Sequence, residues 1–166
     1  MTLPEPRRRA IHHAGHAVVQ ILVARGRFAV ERVAMDAEDC GSWRGYSAQG
    51  EAQLDREAFL GLYEFGLVTL AGLAAEERYL QETPHRGEAI FPLSDLALWQ
   101  EQAWSVLGDD RRVGMVSSSI MERLHRWMED ARVWQVIETL AHALLAQGVL
   151  QGEALRHILA PLHTTP

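Results

Sequence analysis

Two histidines near the start of the chain have the spacing of a metal-binding pair. His12 and His16 are four residues apart in RRRAIHHAGHAVVQ, where apolar residues recur at three- and four-residue steps. Four residues of a helix rotate by about 400°, so both imidazoles lie on one face, one turn apart. Two imidazoles in this arrangement can bind one zinc ion. The spacing alone is weak support, since ordinary surface histidines share it.

A hydrolytic zinc site needs more than two histidines. It needs a third protein ligand, a free coordination position for water and usually a general base. By residue type, the candidates for the third ligand are Asp95, Glu76, Glu77 and His85, and spacing does not choose among them. In the HExxH pattern of zinc hydrolases the residue after the first histidine is the catalytic glutamate, whereas this chain has His13 there.

The elements that must position these residues are predicted to be mostly helices. Apolar residues recur with helical periodicity in these segments: Arg8 to about Val23, Leu54 to about Leu80, a helix with Ser94 as its N-cap, 120–128, 133–145 and 155–159. Gly66 and Gly72 each weaken the second helix by roughly 1 kcal/mol relative to alanine, which close helix packing would explain. Gly148 is the expected stop of the fifth helix.

Two short segments, FAVERVAM and SWRGYSA, predict strands joined by the turn-rich DAEDCG. Together they predict a small antiparallel hairpin or sheet. The expected fold class is therefore mainly α with a small antiparallel β-sheet, and the absence of a linker or repeat predicts one domain over 1–166.

Composition restricts the function classes. The 166 residues are 48% hydrophobic and 23% charged, as in soluble globular proteins, and the formal charge of −6 argues against nucleic acid as the main partner. The basic run of Arg7, Arg8 and Arg9 is interpreted as a solvated helix start, with a phosphate or lipid contact as the alternative. A single cysteine, Cys40, suits a reducing cytosol.

Targeting signals are not expected. The start, MTLPEPRRRA, lacks the apolar core of a secretion signal, and no stretch reaches about 18 consecutive apolar residues. We therefore expect a cytoplasmic protein with no membrane span.

Several segments together resemble one enzyme family. IHHAGHAVV is similar to the HEAGHA segment of the FtsH-type ATP-dependent zinc proteases, and RVAMDAEDCGSWRGYS to their strand pair ending in Gly-Tyr-Thr, here Gly45, Tyr46 and Ser47. VTLAGLAAEERYL resembles the helix carrying Gly-Gly-Arg-Ala-Ala-Glu-Glu. LSDLALWQEQAWSVL and LLAQGVLQGEALRHIL resemble the Ser-Asn-Asp helix and the closing segment. The similarities are collinear from about Arg7 to Leu159.

The resemblance implies an FtsH-like peptidase-domain helical fold and a specific zinc site. Its metal ligands would be His12, His16 and Asp95, with Glu76 nearby as a group that orients a ligand histidine. The strand at Gly45–Ser47 would be the edge along which an extended peptide pairs.

Departures from the family pattern affect catalysis most. His13 replaces the glutamate that takes a proton from the attacking water and passes it to the departing amine, help worth about 10²–10⁴-fold in rate. An imidazole with a pKa of about 6.5 could do both in principle, but it carries no negative charge and could turn to bind the metal. We expect neither the family's ATPase module nor its membrane anchor, and the loop before Asp95 reads FPLS instead of Gly-Ala-Ser-Asn.

These features predict a zinc-binding FtsH-peptidase-like domain that is degenerate in proteolysis, a pseudoenzyme that binds peptide or protein partners. One alternative is an active zinc metalloendopeptidase that hydrolyses unfolded peptides with His13 or another base. A second is a metal-free helical interaction domain. The family assembles as rings of six, but we do not expect this hexamer here. A smaller homo-oligomer that forms through the C-terminal helices is possible, and the sequence does not decide it.

Overall fold

Helices make up most of the chain in the computed structural model, which describes residues 6–24, 30, 32–35, 56–82 and 94–163. The helices are α1 (Pro6–Ala24), α2 (Arg56–Glu82), α3 (Ser94–Leu107), α4 (Asp110–Glu129), α5 (Ala131–Gln147) and α6 (Gly152–Leu159), and a 3₁₀ turn follows at Ala160–His163. The predicted class, mainly α with a small antiparallel sheet, is confirmed. Ser94 is the first residue of α3 instead of the residue before it.

The small sheet joins segments that are far apart in sequence. Strand β1 (Arg32–Ala34) pairs antiparallel with β2 (Val149–Gln151), with Val33 opposite Leu150. Gly148 ends α5 with φ 76°, as predicted, and lets the chain turn directly into β2. The strand in FAVERVAM is thus confirmed over part of its length, but β2 was not predicted because three residues are too few to show alternation.

The predicted partner strand, SWRGYSA, lies outside the described residues. The same holds for Gly45, Tyr46 and Ser47, so the peptide-pairing edge stays a prediction.

Helices α1 and α2 run antiparallel and pack closely. His12 of α1 lies beside Glu76 of α2, while His16, one turn later in α1, contacts Val68, about two turns earlier in α2. Small residues allow this approach, because a Cβ added at Gly15 would lie 2.7 Å from the Cβ of Ala75. The backbones of the two helices are therefore close enough for short polar side chains to meet between them.

The glycine at position 66 of α2 also has a packing reason. A Cβ there would lie 2.5 Å from Cδ1 of Ile120 on α4 and 2.6 Å from Cζ3 of Trp99 on α3. The expectation that close packing explains this residue is confirmed.

Apolar side chains from α4 and α5 complete the core. Ile120, Leu124, Ile137 and Leu140 are all fully buried. Burial of such side chains contributes roughly 1.5–3 kcal/mol each. This packing holds the scaffold that supports α1, α2 and α3.

Among the described residues, one helix is apolar and long enough to cross a membrane, judged by its length and composition alone. The segment Phe59–Glu82 of α2 contains an 18-residue window of mean hydropathy 1.3, but 67% of that window is buried inside the protein. A buried core helix of a soluble protein gives the same pattern, so this helix decides nothing about localisation.

Candidate metal centre

Three side chains converge where α3 begins beside α1. His12 and His16 extend from one face of α1, and Asp95 from the first turn of α3. The Oδ2 atom of Asp95 lies 3.0 Å from Nε2 of His12 and 3.2 Å from Nε2 of His16. The two Nε2 atoms are 3.0 Å apart. These residues form a His/His/Asp group that could hold a metal ion, with Asp95 as the third member.

Hydrogen bonds orient both imidazole rings. Nδ1 of His12 lies 3.0 Å from Oε2 of Glu76, and Nδ1 of His16 lies 2.6 Å from the carbonyl oxygen of Val68. A carboxylate and a carbonyl only accept, so each Nδ1 donates its proton. In the neutral imidazoles the lone pairs are therefore on Nε2, and both point toward Asp95.

The spacing of these atoms is close to that required by a small divalent cation. Zinc bonds of about 2.0–2.2 Å in tetrahedral geometry place ligand atoms roughly 3.3–3.6 Å apart. The three observed separations, 3.0, 3.0 and 3.2 Å, are slightly shorter than this range. Two nitrogen lone pairs and a carboxylate oxygen so close together repel one another unless a cation lies between them. The donor chemistry thus calls for a metal ion or a proton at this point.

In the absence of a metal, a proton on His12 relieves that repulsion. Burial alone would lower the pKa of His12, but the hydrogen bonds and charges of Asp95 and Glu76 outweigh it and raise the pKa to about 9. For Asp95, burial favours the neutral acid and so acts to raise the pKa, but the contacts with His12 and His16 hold that pKa well below its usual range. The site is therefore built to hold positive charge.

Glu76 lies behind the His/His/Asp group, as the family resemblance implies. Its Oε2 bonds to His12, and its Oε1 accepts a hydrogen bond of 2.8 Å from Nε of Arg8. The side chain of Glu76 is 1% exposed and that of Arg8 is 8% exposed. The interpretation of Arg8 as part of a solvated helix start is therefore wrong.

The spacing of Arg8 relative to the two histidines could have placed it on the face of the site. Position 8 is one helical turn before His12 and two before His16, so all three lie on the same face of α1. The basic run hid this periodicity, because Arg7 and Arg9 on either side belong to other faces of the helix.

Gly72 makes room for the ring of His12. A Cβ at this position would lie 2.5 Å from Cε1 and 2.6 Å from Nδ1 and Nε2 of His12. The second glycine singled out in α2 thus has a role in the site itself, since its missing side chain is the space that the imidazole fills.

His13 lies beside the His/His/Asp group without belonging to it. Its ring centroid is 5.7 Å from that of His12, with the planes at 85°. Burial, followed by the charges of His12, His16 and Arg9, lowers the pKa of His13 to about 4, against an opposing hydrogen bond to the Met35 backbone. Its proposed place as the general base stays a prediction.

The remaining candidate ligands have other positions. Glu77 forms a pair of 2.8 Å with His125 on the surface, away from the His/His/Asp group. His85 lies outside the described residues.

Two comparisons with known proteins find no relative of this chain. No protein-family model matches the chain, and a search of curated proteins finds no significant match. The likeness to the FtsH-type peptidases therefore depends on the residues and motifs of the chain alone.

Proposed function

We propose that this chain is a zinc-binding, FtsH-peptidase-like domain that is degenerate in proteolysis and acts by binding peptide or protein partners. The observation that carries the proposal is the convergence of three electron-pair donors, from His12, His16 and Asp95, with their atoms 3.0–3.2 Å apart. Each imidazole is held in the tautomer that directs its free lone pair at the same point.

Zinc suits this set of donors. Two imidazole nitrogens and one carboxylate oxygen are a familiar three-residue set for zinc with an open fourth position. Bound zinc would supply a Lewis acid at that position. Iron(II) also binds two histidines and one carboxylate, so the identity of the metal is the first quantity to measure.

The loss of proteolysis follows from the residue at position 13. An imidazole there offers no negative charge to hold and orient an attacking water, which a glutamate would provide. Burial and nearby positive charge also lower the pKa of His13, while a hydrogen bond to the Met35 backbone opposes this. Loss of such general acid–base help costs about 10²–10⁴-fold in rate.

Binding of partners is the activity left to such a site. An open coordination position on a bound metal would accept a donor atom from a ligand, and the family resemblance implies a peptide-pairing strand at Gly45–Ser47. An extended peptide bound along that edge is the expected partner.

One set of assays tests the proposal. Protein isolated without chelators should contain about one zinc per chain by elemental analysis and should leave casein uncleaved. It should bind a fluorescent casein peptide, with weaker binding after zinc is removed. His13→Glu should gain cleavage that a chelator abolishes, and His12→Ala added to that variant should remove it again.

Other outcomes support the alternatives. Cleavage by the natural chain that is abolished by His12→Ala would establish the active peptidase. A folded protein that takes up no metal would establish the metal-free interaction domain.

A further inference from the structure

We propose that Arg8 is a positioning residue of the metal centre, which acts on the ligand His12 through Glu76. This inference rests on the proposed metal function and adds a residue that the family resemblance does not supply. The three side chains form a continuous chain of contacts, from the guanidinium to the carboxylate to the imidazole.

Both oxygens of Glu76 are used in this chain. Oε1 accepts from Nε of Arg8 at 2.8 Å, and Oε2 accepts from Nδ1 of His12 at 3.0 Å. The carboxylate is planar, so a rotation that breaks one bond misaligns the other. Arg8 thereby fixes the direction from which Glu76 holds the ring.

Because these groups are buried, they cannot easily exchange their partners for water. The side chains of Arg8, Glu76 and His12 are 8%, 1% and 14% exposed. Water cannot replace Arg8 freely at such a site, and a buried carboxylate that loses a charged partner is strongly destabilised. Without Arg8, Glu76 must turn toward another donor or toward solvent, and His12 then loses the partner on Nδ1.

Helix geometry lets α1 hold Glu76 at two points. Arg8 and His12 are one turn apart on α1, so they contact the two oxygens of one residue on α2. Gly72, one turn before Glu76, supplies the space for the ring. The orientation of Nε2 is therefore determined jointly by a charge, a hydrogen bond and a steric boundary.

Replacement of Arg8 should weaken metal binding. Loss of a partner that orients a ligand histidine typically weakens metal binding 10- to 100-fold. We expect Arg8→Met to reduce zinc affinity by this factor. Arg9→Met is the matched control, because the Arg9 guanidinium donates to the Met35 carbonyl oxygen at 3.0 Å instead of to Glu76.

The experiment measures zinc affinity by competition with a chromophoric chelator in the full chain. Cobalt(II) absorption spectra of the same variants report the ligand geometry. In the metal-free protein, the proton on Nδ1 of His12 should give a slowly exchanging, downfield NMR signal that Arg8→Met loses and Arg9→Met keeps. A merely structural role for Arg8 would change the melting temperature without changing this signal in the folded protein.

A double variant keeps the test decisive if Arg8→Met folds poorly. Arg8→Met combined with Glu76→Gln leaves no unpaired charge, and it should bind zinc with the affinity of Glu76→Gln alone. Multiplied losses in the double variant would overturn the proposal, because they would show that Arg8 acts independently of Glu76.

Two further results separate this proposal from the one on which it rests. Zinc affinity within twofold of the natural chain in a folded Arg8→Met variant would overturn the role of Arg8 alone. Absence of metal binding by the natural chain would overturn both proposals.

Discussion

The junction of α1, α2 and α3 and the apolar packing of α4 and α5 are both buried, but different forces hold them. Around Ile137 and Leu140 the contacts are apolar and non-directional, and their strength follows the area removed from water. At the junction, charged and polar groups are buried as well, and Glu76 is 1% exposed between Arg8 and His12.

This contrast shows why the polar cluster is better explained by function than by stability. Burying charged groups costs free energy, and well-packed hydrophobic residues in their place are often as stable or more stable. A site with several such groups, in which His12, His16 and Asp95 converge on one point, is the pattern expected where a cation binds. The apolar region provides the support for this arrangement.

Truncation of one residue in each region should give the largest effects. His12→Ala removes a ligand, so zinc affinity should fall by more than about 100-fold, above the loss typical of outer partners. Leu140→Ala should leave zinc affinity unchanged and cost about 2–5 kcal/mol in the free energy of unfolding. Chelator competition and urea denaturation measure the two quantities. Equal losses of zinc affinity in the two variants would show that His12 affects metal binding only through the stability of the fold.

Two glycines inside helices give a second matched pair. Gly72→Ala places a methyl group where the His12 ring lies, so zinc affinity should fall about 10- to 100-fold as the ring is displaced. Gly114→Ala in α4 meets open space and should stabilise the protein by up to about 1 kcal/mol. Calorimetric melting and zinc titration of each variant check this. An undiminished affinity in Gly72→Ala would show that the ring is not held where the structure places it.

Zinc binding should depend on pH because the metal and a proton compete for His12. His12, with a pKa raised from 6.5 to about 9, holds a proton at pH 7 that zinc must displace. Zinc affinity should therefore rise by up to about tenfold per pH unit between pH 7 and 9, with release of about one proton at pH 7. Calorimetry in buffers of different ionisation enthalpy counts the protons. Proton release near zero at pH 7 would contradict this account.

The same proton should stabilise the metal-free fold. A pKa raised on folding contributes stability that is complete below pH 6.5 and is lost as the pH rises through about 9. Melting temperatures of metal-free protein should fall over that interval, while zinc-loaded protein should not show the fall. A parallel decline in both forms would assign the effect to another group.

The smallest effect is expected at the exposed pair of His125 and Glu77. Its side chains are 49% and 35% exposed, and surface pairs of this kind contribute about 0–1 kcal/mol. His125→Ala should change neither zinc affinity nor the melting temperature by a measurable amount. A clear loss of zinc in this variant would show that the site extends further along α2 than the His/His/Asp group.

The helices and the histidine pair were predictable because both depend on local periodicity. The stripe in α1 and the stop at Gly148 are encoded within a few residues. The same periodicity placed Arg8 on the face of His12, but the neighbouring arginines favoured the interpretation as a solvated run. Its burial depends on Glu76, which lies far along the chain, and no local pattern reveals such a pair.

Long-range features were predictable only in part. The residue types allowed four candidates for the third ligand, and the family resemblance was needed to select Asp95. The β1–β2 pairing was missed because it joins two three-residue strands from opposite ends of the chain. The Val68 carbonyl that orients His16 is a backbone group, and its position is set by helix packing instead of by side-chain type.

Anomalous diffraction at the zinc edge, from crystals of protein prepared without chelators, would locate the metal itself. We expect one peak at about 2.0–2.2 Å from Nε2 of His12, Nε2 of His16 and an oxygen of Asp95. A peak elsewhere, or no peak with Asp95 turned away from the two rings, would rule out a metal centre at these three residues.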